Sequence, residues 1–171
     1  MQYRYERLHY MNTGTTTLPV WALINEGVVA FDDDLGPKTE TKQYIADKNE
    51  RDILMGYKPS YNYTAELDYT DDVSKKLYEI GADQRIGEQV EIVTVDTWTL
   101  SEGVCEARKG LYNVIPSKAG SGDPGAPLTM EGTLVQVGEL IKGTWTVDTN
   151  TFTPEGEEPE SGDGGGGGGQ T

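Results

Sequence analysis

Apolar and polar side chains alternate most clearly from Ser60 to Tyr69. The odd positions carry apolar or aromatic side chains, and the even positions carry polar ones. The odd positions are Tyr61, Tyr63, Ala65, Leu67 and Tyr69. A period of two with one polar side predicts a half-buried antiparallel strand.

The period changes directly after this strand. Val73, Leu77 and Ile80 recur at i, i+4 and i+7, which predicts an amphipathic helix over residues 71–80. Thr70 is a suitable N-cap for this helix, and Gly81 can end it in a left-handed conformation. We expect the helix to pack against a sheet that contains the preceding strand.

The remaining apolar runs are short, rich in β-branched residues and bounded by turn signals, which is typical of strands. They are Val20–Val29 with a bend at 25–27, Gln89–Leu100, Gly103–Val114, and a hairpin of Leu128–Val137 with Leu140–Val147. Several strands and one helix predict a mainly β fold, a β-sandwich or small barrel with one flanking α-helix.

The pattern divides the chain into one domain, residues 19–153, with a segment at each end. Residues 1–18 are polar with scattered tyrosines and are predicted to form an N-terminal arm. Within the domain, residues 38–55 form a long polar loop with one short strand-like piece at Gln43–Ala46, and such loops are usually functional or ordered by a partner. Residues 154–171 are acidic and glycine-rich without an apolar anchor, so this tail is predicted to be disordered.

The chain has 171 residues and a formal net charge of −15, which argues against a nucleic-acid binder built on a basic patch. Five of the acidic residues lie in the tail, so the domain is itself acidic. The single cysteine, Cys105, excludes an internal disulfide. No apolar run approaches the roughly 20 residues of a membrane span, and the first residues lack a signal-peptide pattern. We expect a soluble protein made in a cytosol.

Residues suited to catalysis or metal binding are scarce. The only histidine, His9, falls in the predicted arm, where we expect it to be exposed, so a Ser/His or Cys/His pair has no starting point. One cysteine and one histidine cannot close a zinc site. Asp32-Asp33-Asp34 lacks the ligand spacing of an EF-hand loop, and Gly120–Gly125 lacks the lysine of a phosphate loop. We expect no enzyme, no cofactor and no metal site.

Aromatic composition leaves more than one function open. Ten tyrosines against two phenylalanines favour surfaces where a ring is buried and its hydroxyl stays hydrated, as at interfaces, although the same rings could fill one sheet face. One hypothesis is a subunit that self-assembles through sheet edges and the long loop. The alternative is a monomeric β-sandwich module that binds carbohydrate or a cell surface. A third is an acidic glycosidase with a carboxylate pair such as Glu66 and Asp96. If the chain is a binding module, its ligand would lie in a groove lined by the tyrosines and by Trp21, Trp98 and Trp145.

An ordered series of segments resembles the major tail tube protein of long-tailed (siphovirus-like) bacteriophages. No segment is specific alone, and the similarity runs from about Trp21 to Pro154. The segments are Gln43–Asn49, Gly56–Tyr61, Glu66–Asp68, Tyr78–Gly81, Val93–Asp96, Ala107–Arg108, Gly132–Gly138, Gly143–Val147 and Phe152–Pro154.

The resemblance implies a β-sandwich subunit that closes into hexameric rings, which stack into a tube that guides DNA from capsid to host. It also implies partners: other copies of the chain, a tape measure protein, and tail terminator and distal tail proteins. The location would be the virion, after synthesis in the host cytoplasm, with no membrane contact. The loop 38–55 would reach the adjacent ring. The predicted contacts between subunits are Tyr44, Ile45, Asp47, Lys48 and Arg51 in this loop, and Tyr57 just after it. An acidic lumen would let DNA pass without binding, because phosphates would meet like charge.

Overall fold

The computed structural model describes residues 1–156, which form one α-helix, α1 (Asp72–Ala82), and ten strands. The strands are β1 (Arg7–Asn12), β2 (Trp21–Leu23), β3 (Val28–Asp34), β4 (Pro37–Lys42), β5 (Arg51–Tyr57), β6 (Ser60–Glu66), β7 (Gln89–Ser101), β8 (Val104–Ser121), β9 (Thr129–Thr146) and β10 (Thr151–Pro154). Pro154 belongs to β10, so the predicted tail begins later than residue 154. Residues 157–171 of that segment lie outside the described residues.

Eight strands form one antiparallel sheet in the order β2-β1-β7-β8-β9-β6-β3, with β10 paired to β9 beside β6. The sheet curls into a half-barrel, and α1 packs against β8. The prediction of a mainly β fold with one flanking helix is confirmed. Strands β4 and β5 form a separate two-stranded sheet.

The predicted hairpin at 128–147 is wrong, because β9 runs through the whole segment as one strand. Leu111 pairs with Val137 and Lys109 with Ile141, so residues 138–140 bulge out opposite Gly110. Gly138 takes a φ of +73° there. A bulge and a turn both place glycine between two apolar runs, so the sequence pattern alone does not distinguish them.

The helix was predicted at the right place with the wrong ends. Asp71, and not Thr70, is the N-cap, and its side chain accepts a hydrogen bond from the backbone N–H of Ser74 at 2.8 Å. Gly81 lies inside the helix. A Cβ at this position would lie 3.0 Å from the Cβ of Ala119, so Gly81 permits close packing of the helix on β8.

The predicted N-terminal arm is wrong for residues 7–12, which form β1 and pair with β7 inside the sheet. Met11 is 1% exposed, and His9, predicted to be exposed, is 5% exposed. Side chains on both faces of β1 are covered, so the strand shows no alternation of apolar and polar residues that would have revealed it.

Two apolar clusters lie on opposite faces of the sheet, as the alternation along β7 requires. The first cluster lies under α1 and comprises Met11, Tyr61, Tyr63, Val73, Leu77, Ile80, Val90, Ile92, Tyr112, Val114 and Leu134. The second comprises Val93, Val95, Cys105, Ala107 and Trp145, with Leu8, Tyr10, Trp21 and Phe152 packed against them. The tyrosines Tyr61 and Tyr63 of the alternating strand are therefore core residues.

Candidate subunit interface

The segment predicted as a long loop is a β-hairpin. Within the described residues, β4 and β5 pair with each other and with no other strand. The predicted strand-like piece, Gln43–Ala46, lies in the connection between them. A two-stranded ribbon is marginally stable alone in water, so a neighbouring surface is expected to support this hairpin.

Local contacts organise the end of the hairpin. The backbone N–H of Asp47 donates to the carbonyl of Tyr44 at 2.8 Å, which closes a tight turn with Ile45 and Ala46 at its centre. The Asp47 carboxylate accepts a hydrogen bond from Arg51 at 2.5 Å, and the Arg51 guanidinium lies 4.9 Å from the Tyr44 ring centroid. We call residues 44–51 the hairpin tip.

The structure brings five of the six predicted contact residues together at this tip. Ile45 is 110% exposed relative to a reference residue, and Tyr44 and Lys48 are also exposed. Asp47 and Arg51 instead bind each other and hold the turn. Tyr57 lies at the other end of the hairpin, paired with Pro37 and exposed. That the chain uses these residues as contacts remains a prediction.

Two further exposed apolar residues of the hairpin, Leu54 and Met55, were not among the predicted contacts. They follow the half-buried Ile53 on β5. The signal that would have identified them is the run Ile53-Leu54-Met55 within an otherwise polar segment. Together with Ile45 and Tyr57, they leave apolar surface along a ribbon that the described residues do not cover.

A polar surface covers the face of β3, β6 and β9 that lies opposite the first apolar cluster. Asp32, Asn62 and Thr133 lie side by side on these strands, and Thr133 donates a hydrogen bond to the Asn62 side-chain oxygen at 3.0 Å. Strand alternation places Asp34 and Glu66 on the same face. Both are exposed, and so is Asp32. This polar face is therefore acidic.

Buried charges lie on the opposite face of the sheet. Asp96 is 5% exposed, and it accepts a hydrogen bond from Arg108 at 2.6 Å and lies 3.6 Å from Arg7. Arg7 also lies 3.9 Å from Asp33 of β3, so it links β1 to β3 across the open side of the curled sheet. The Arg108 hydrogen bond offsets part of the cost of burying the Asp96 carboxylate, whose Oδ1 atom has no hydrogen-bond partner within the described residues.

The buried His9 ring contacts the same region. Its Nδ1 lies 3.0 Å from the Thr94 hydroxyl, and its ring centroid lies 5.0 Å from that of Phe31. Burial, with smaller effects from Arg4 and Arg7, lowers the pKa of His9 to about 3. The ring is therefore neutral near pH 7 and acts as a core residue.

The candidate catalytic groups are kept apart. By strand alternation, Asp96 and Glu66 lie on opposite faces of the sheet, and so do His9 and Cys105. Residues 1–156 contain no group of three His, Cys, Asp or Glu side chains placed to hold a metal ion. In the same residues, no helix has the length and apolar character needed to cross a membrane.

The tryptophans do not line one groove. Trp145 is 1% exposed and contacts Trp21 at a ring-centroid distance of 6.1 Å within the second apolar cluster. Trp98 is 43% exposed and belongs to neither cluster. The aromatic groove that the binding-module hypothesis requires is therefore not formed by these three residues.

The sequence matches no protein-family model and no curated protein. Solved structures that share the fold include the tail of an empty gene transfer agent particle with C6 symmetry, at 15% identity and a TM-score of 0.59, covering 82% of this chain and 97% of that one. The virion of the native gene transfer agent particle matches at 14% identity and a TM-score of 0.56, covering 90% of this chain and 99% of that one. The SPP1 tail tube matches at 12% identity and a TM-score of 0.61, covering 82% of this chain and 77% of that one. The chain has the tail-tube fold, as the resemblance implied.

Proposed function

We propose that this chain is a non-enzymatic structural subunit of a phage-type tail tube. Copies of the chain form hexameric rings, and the rings stack into a tube that conducts DNA from capsid to host. The observation that carries the proposal is the β4–β5 hairpin. It is separate from the main sheet, and it has an organised tip and exposed apolar side chains.

The hairpin supplies contacts between rings in this proposal. Its strands of six and seven residues reach about 20 Å at the usual rise per residue, far enough to meet another subunit. Burial of Ile45, Leu54, Met55 and Tyr57 against that subunit would stabilise both the ribbon and the stack. The hairpin therefore acts as an axial connector.

The polar face of β3, β6 and β9 lines the lumen in this proposal. It presents Asp32, Asp34 and Glu66, and repetition around a ring of six would repeat these carboxylates around the bore. Lys118, on the neighbouring β8, pairs with Glu131 at 2.9 Å. DNA phosphates would find little cationic surface to bind, so DNA could slide.

The remaining partners follow from the same role. The tube would enclose a tape measure protein, and its two ends would meet a tail terminator and distal tail proteins. The subunit would be made in the bacterial cytoplasm and would reside in the virion. It would have no contact with a membrane.

Replacing the hairpin tests the proposal. Pro37 and Tyr57 pair at its base, so an Asn-Gly turn can replace residues 38–56 and join them directly. We expect this variant to fold with the parent circular dichroism spectrum and to form no tubes in negative-stain images. A control with an Asn-Gly turn in place of Asp148-Thr149, between β9 and β10, should still form tubes. Long tubes from the hairpin-less variant would refute the connector role.

A further inference from the structure

Three polar side chains meet between α1 and the end of β1. Asn12 is the last residue of β1, Glu91 lies on the neighbouring β7, and Lys76 lies on α1. The Lys76 amine donates a hydrogen bond to the backbone carbonyl of Asn12 at 2.8 Å. The Asn12 side-chain amide donates to a Glu91 carboxylate oxygen at 3.3 Å. Three separate elements therefore bring together an amine, a carboxamide and a carboxylate.

The Asn12 side chain is buried and held in one orientation. Only 4% of the residue is exposed. Its Oδ1 atom accepts hydrogen bonds from the backbone N–H groups of Gly14 at 2.9 Å and Val20 at 3.1 Å. Its Nδ2 atom donates to the carbonyl of Thr15 at 3.0 Å as well as to Glu91. All four hydrogen-bonding positions of the carboxamide are filled, so rotation of the group would break four hydrogen bonds.

The two backbone donors have the geometry of an oxyanion hole. When a nucleophile adds to the amide carbon Cγ, negative charge develops on Oδ1, and N–H donors about 2.7–3.1 Å away stabilise that charge. The N–H groups of Gly14 and Val20 already lie at such distances from Oδ1 of Asn12. The Asn12 carboxamide is therefore polarised for attack at Cγ.

Lys76 provides the nucleophile for this carbon. Burial lowers the pKa of its amine, while the nearby Glu88 and Glu91 carboxylates oppose that shift. A lowered pKa increases the fraction of neutral amine, which is the nucleophilic form. Attack requires the amine to move from the backbone oxygen of Asn12 to within about 3.5 Å of Cγ of the same residue. Rotation about the bonds of the long lysine side chain supplies this movement.

We propose that Lys76 and Asn12 form an intramolecular isopeptide bond, an amide between the two side chains. The Nζ atom of Lys76 adds to Cγ of Asn12, the Cγ–Nδ2 bond breaks, and ammonia leaves. Glu91 accepts the proton that Nζ loses and delivers it to Nδ2 as that nitrogen departs. Atoms and electrons balance without an oxidant or a co-reactant. The reaction occurs once in each chain and involves no turnover.

The bond ties α1 covalently to the end of β1. In the folded chain α1 packs against β8, and β1 pairs with β7, so the bond joins the helix to another part of the same sheet. It closes a loop between positions that are 64 residues apart. A closed loop restricts the unfolded chain and so stabilises the folded one. This inference goes beyond the tail-tube role and does not depend on it.

Mass spectrometry of the intact parent protein, unfolded in denaturant, tests the bond. We expect a mass lower than that of the sequence by one ammonia molecule, and a branched tryptic species that joins the Asn12 and Lys76 peptides. Lys76→Arg removes the nucleophile and keeps the charge, so this variant should have the mass of its sequence. The matched control is Lys75→Arg, because the Lys75 amine lies 5.0 Å from the Tyr69 ring centroid and not at Asn12. This control should retain the loss of ammonia.

Each outcome decides the proposal. A parent protein with the full mass of its sequence overturns the bond, whether or not the variants fold. A loss of ammonia that persists in Lys76→Arg also overturns it, because another residue then supplies the ammonia. Glu91→Gln keeps a hydrogen-bonding partner for Asn12 and cannot accept a proton, so we expect the folded variant to have its full mass. A loss as complete as that of the parent overturns the role of Glu91.

Discussion

Several residues of this chain have positions that only the folded structure explains. Gly81 is an example, because its place in the sequence predicted a helix end, and its actual role is to let α1 approach β8. His9 is another, since a histidine among charged and aromatic neighbours in the sequence proves to be a buried ring between Phe31 and Tyr61. In both cases the deciding contact comes from a distant part of the chain.

Protonation of His9 should make the protein sensitive to acid. The pKa of this residue is lowered from 6.5 to about 3 in the folded chain, mainly by burial, so the unfolded chain takes up the proton first. The free energy of unfolding is therefore expected to fall as the pH drops from 6.5 toward 3, by up to about 1.4 kcal/mol per pH unit. Urea unfolding at a series of pH values measures this slope.

The His9→Gln variant provides the comparison for that slope. Glutamine can still hydrogen-bond Thr94, and it does not titrate in this range. We expect the variant to show a flatter profile between pH 6.5 and 5, where few carboxylates titrate. Parallel profiles would show that His9 does not control the acid response.

Because Gly81 packs against Ala119, the stability cost of replacing Gly81 should depend on the residue at position 119. An alanine favours a helix over glycine by about 1 kcal/mol, but overpacking costs about 1–3 kcal/mol. Because the added Cβ would lie 3.0 Å from Ala119, Gly81→Ala is expected to cost less in an Ala119→Gly background than in the parent. A double-mutant cycle of denaturant unfolding measures the coupling, and additive effects would contradict the packing role.

At the scale of elements, the sequence predicted the strands and the helix whose two faces differ in polarity. The alternating Ser60–Glu66 strand and the stripe of α1 were found from pattern alone, because each buries one side. Strand β1 was missed because both of its faces are covered. The bulged β9 was read as a hairpin because Gly138 marks a bulge and a turn equally well.

The length and polarity of the segment 38–55 identified it as a candidate interface. Its form, a β-hairpin with an organised tip, was not predicted. A mostly polar segment of eighteen residues is unusual as a loop, which drew attention to 38–55. Its pairing into β4 and β5 depends on cross-strand contacts such as Thr41 with Asp52. The organised tip depends on Asp47 and Arg51, which are four residues apart. Neither feature follows a recognisable period.

Loosening the hairpin tip should weaken assembly without weakening the fold. The Asp47→Ala substitution removes the acceptor for Arg51 and for the Tyr44 backbone N–H, so the tip loses its fixed conformation before contact. A loss of about 1 kcal/mol of contact energy corresponds to a roughly fivefold higher critical concentration for tube formation, measured by sedimentation. The thermal unfolding midpoint of the unassembled subunit should not change.

A charge control accompanies this variant. Glu26→Ala also removes one carboxylate, from an exposed site outside the hairpin. We expect its critical concentration to match that of the parent. Equal increases in the two variants would attribute the effect to net charge and not to the tip.

At the scale of the whole molecule, the acidic charge is expected to serve passage of DNA through the tube. Reversing it on the polar face, with Asp32→Lys and Asp34→Lys, should leave the core intact because both side chains are exposed. The lumen would then attract phosphates, and tubes of the variant should retain double-stranded DNA at low salt and release it as salt rises. Retention is measured by co-sedimentation of labelled DNA with the tubes.

The matched control reverses two acidic charges away from that face, with Asp83→Lys and Glu102→Lys, which are exposed in turns. We expect no retention of DNA inside these tubes under the same conditions. If both variants retain DNA equally, the polar face of β3, β6 and β9 does not line the bore.

Self-assembly is the central claim, because the roles proposed for the hairpin and for the polar face both need neighbouring copies of the chain. Electron microscopy of the purified parent protein, imaged across a range of concentrations, tests it most directly. The account predicts stacked rings with six-fold symmetry and a continuous bore. A protein that stays monomeric at every concentration, with neither rings nor tubes, would contradict it.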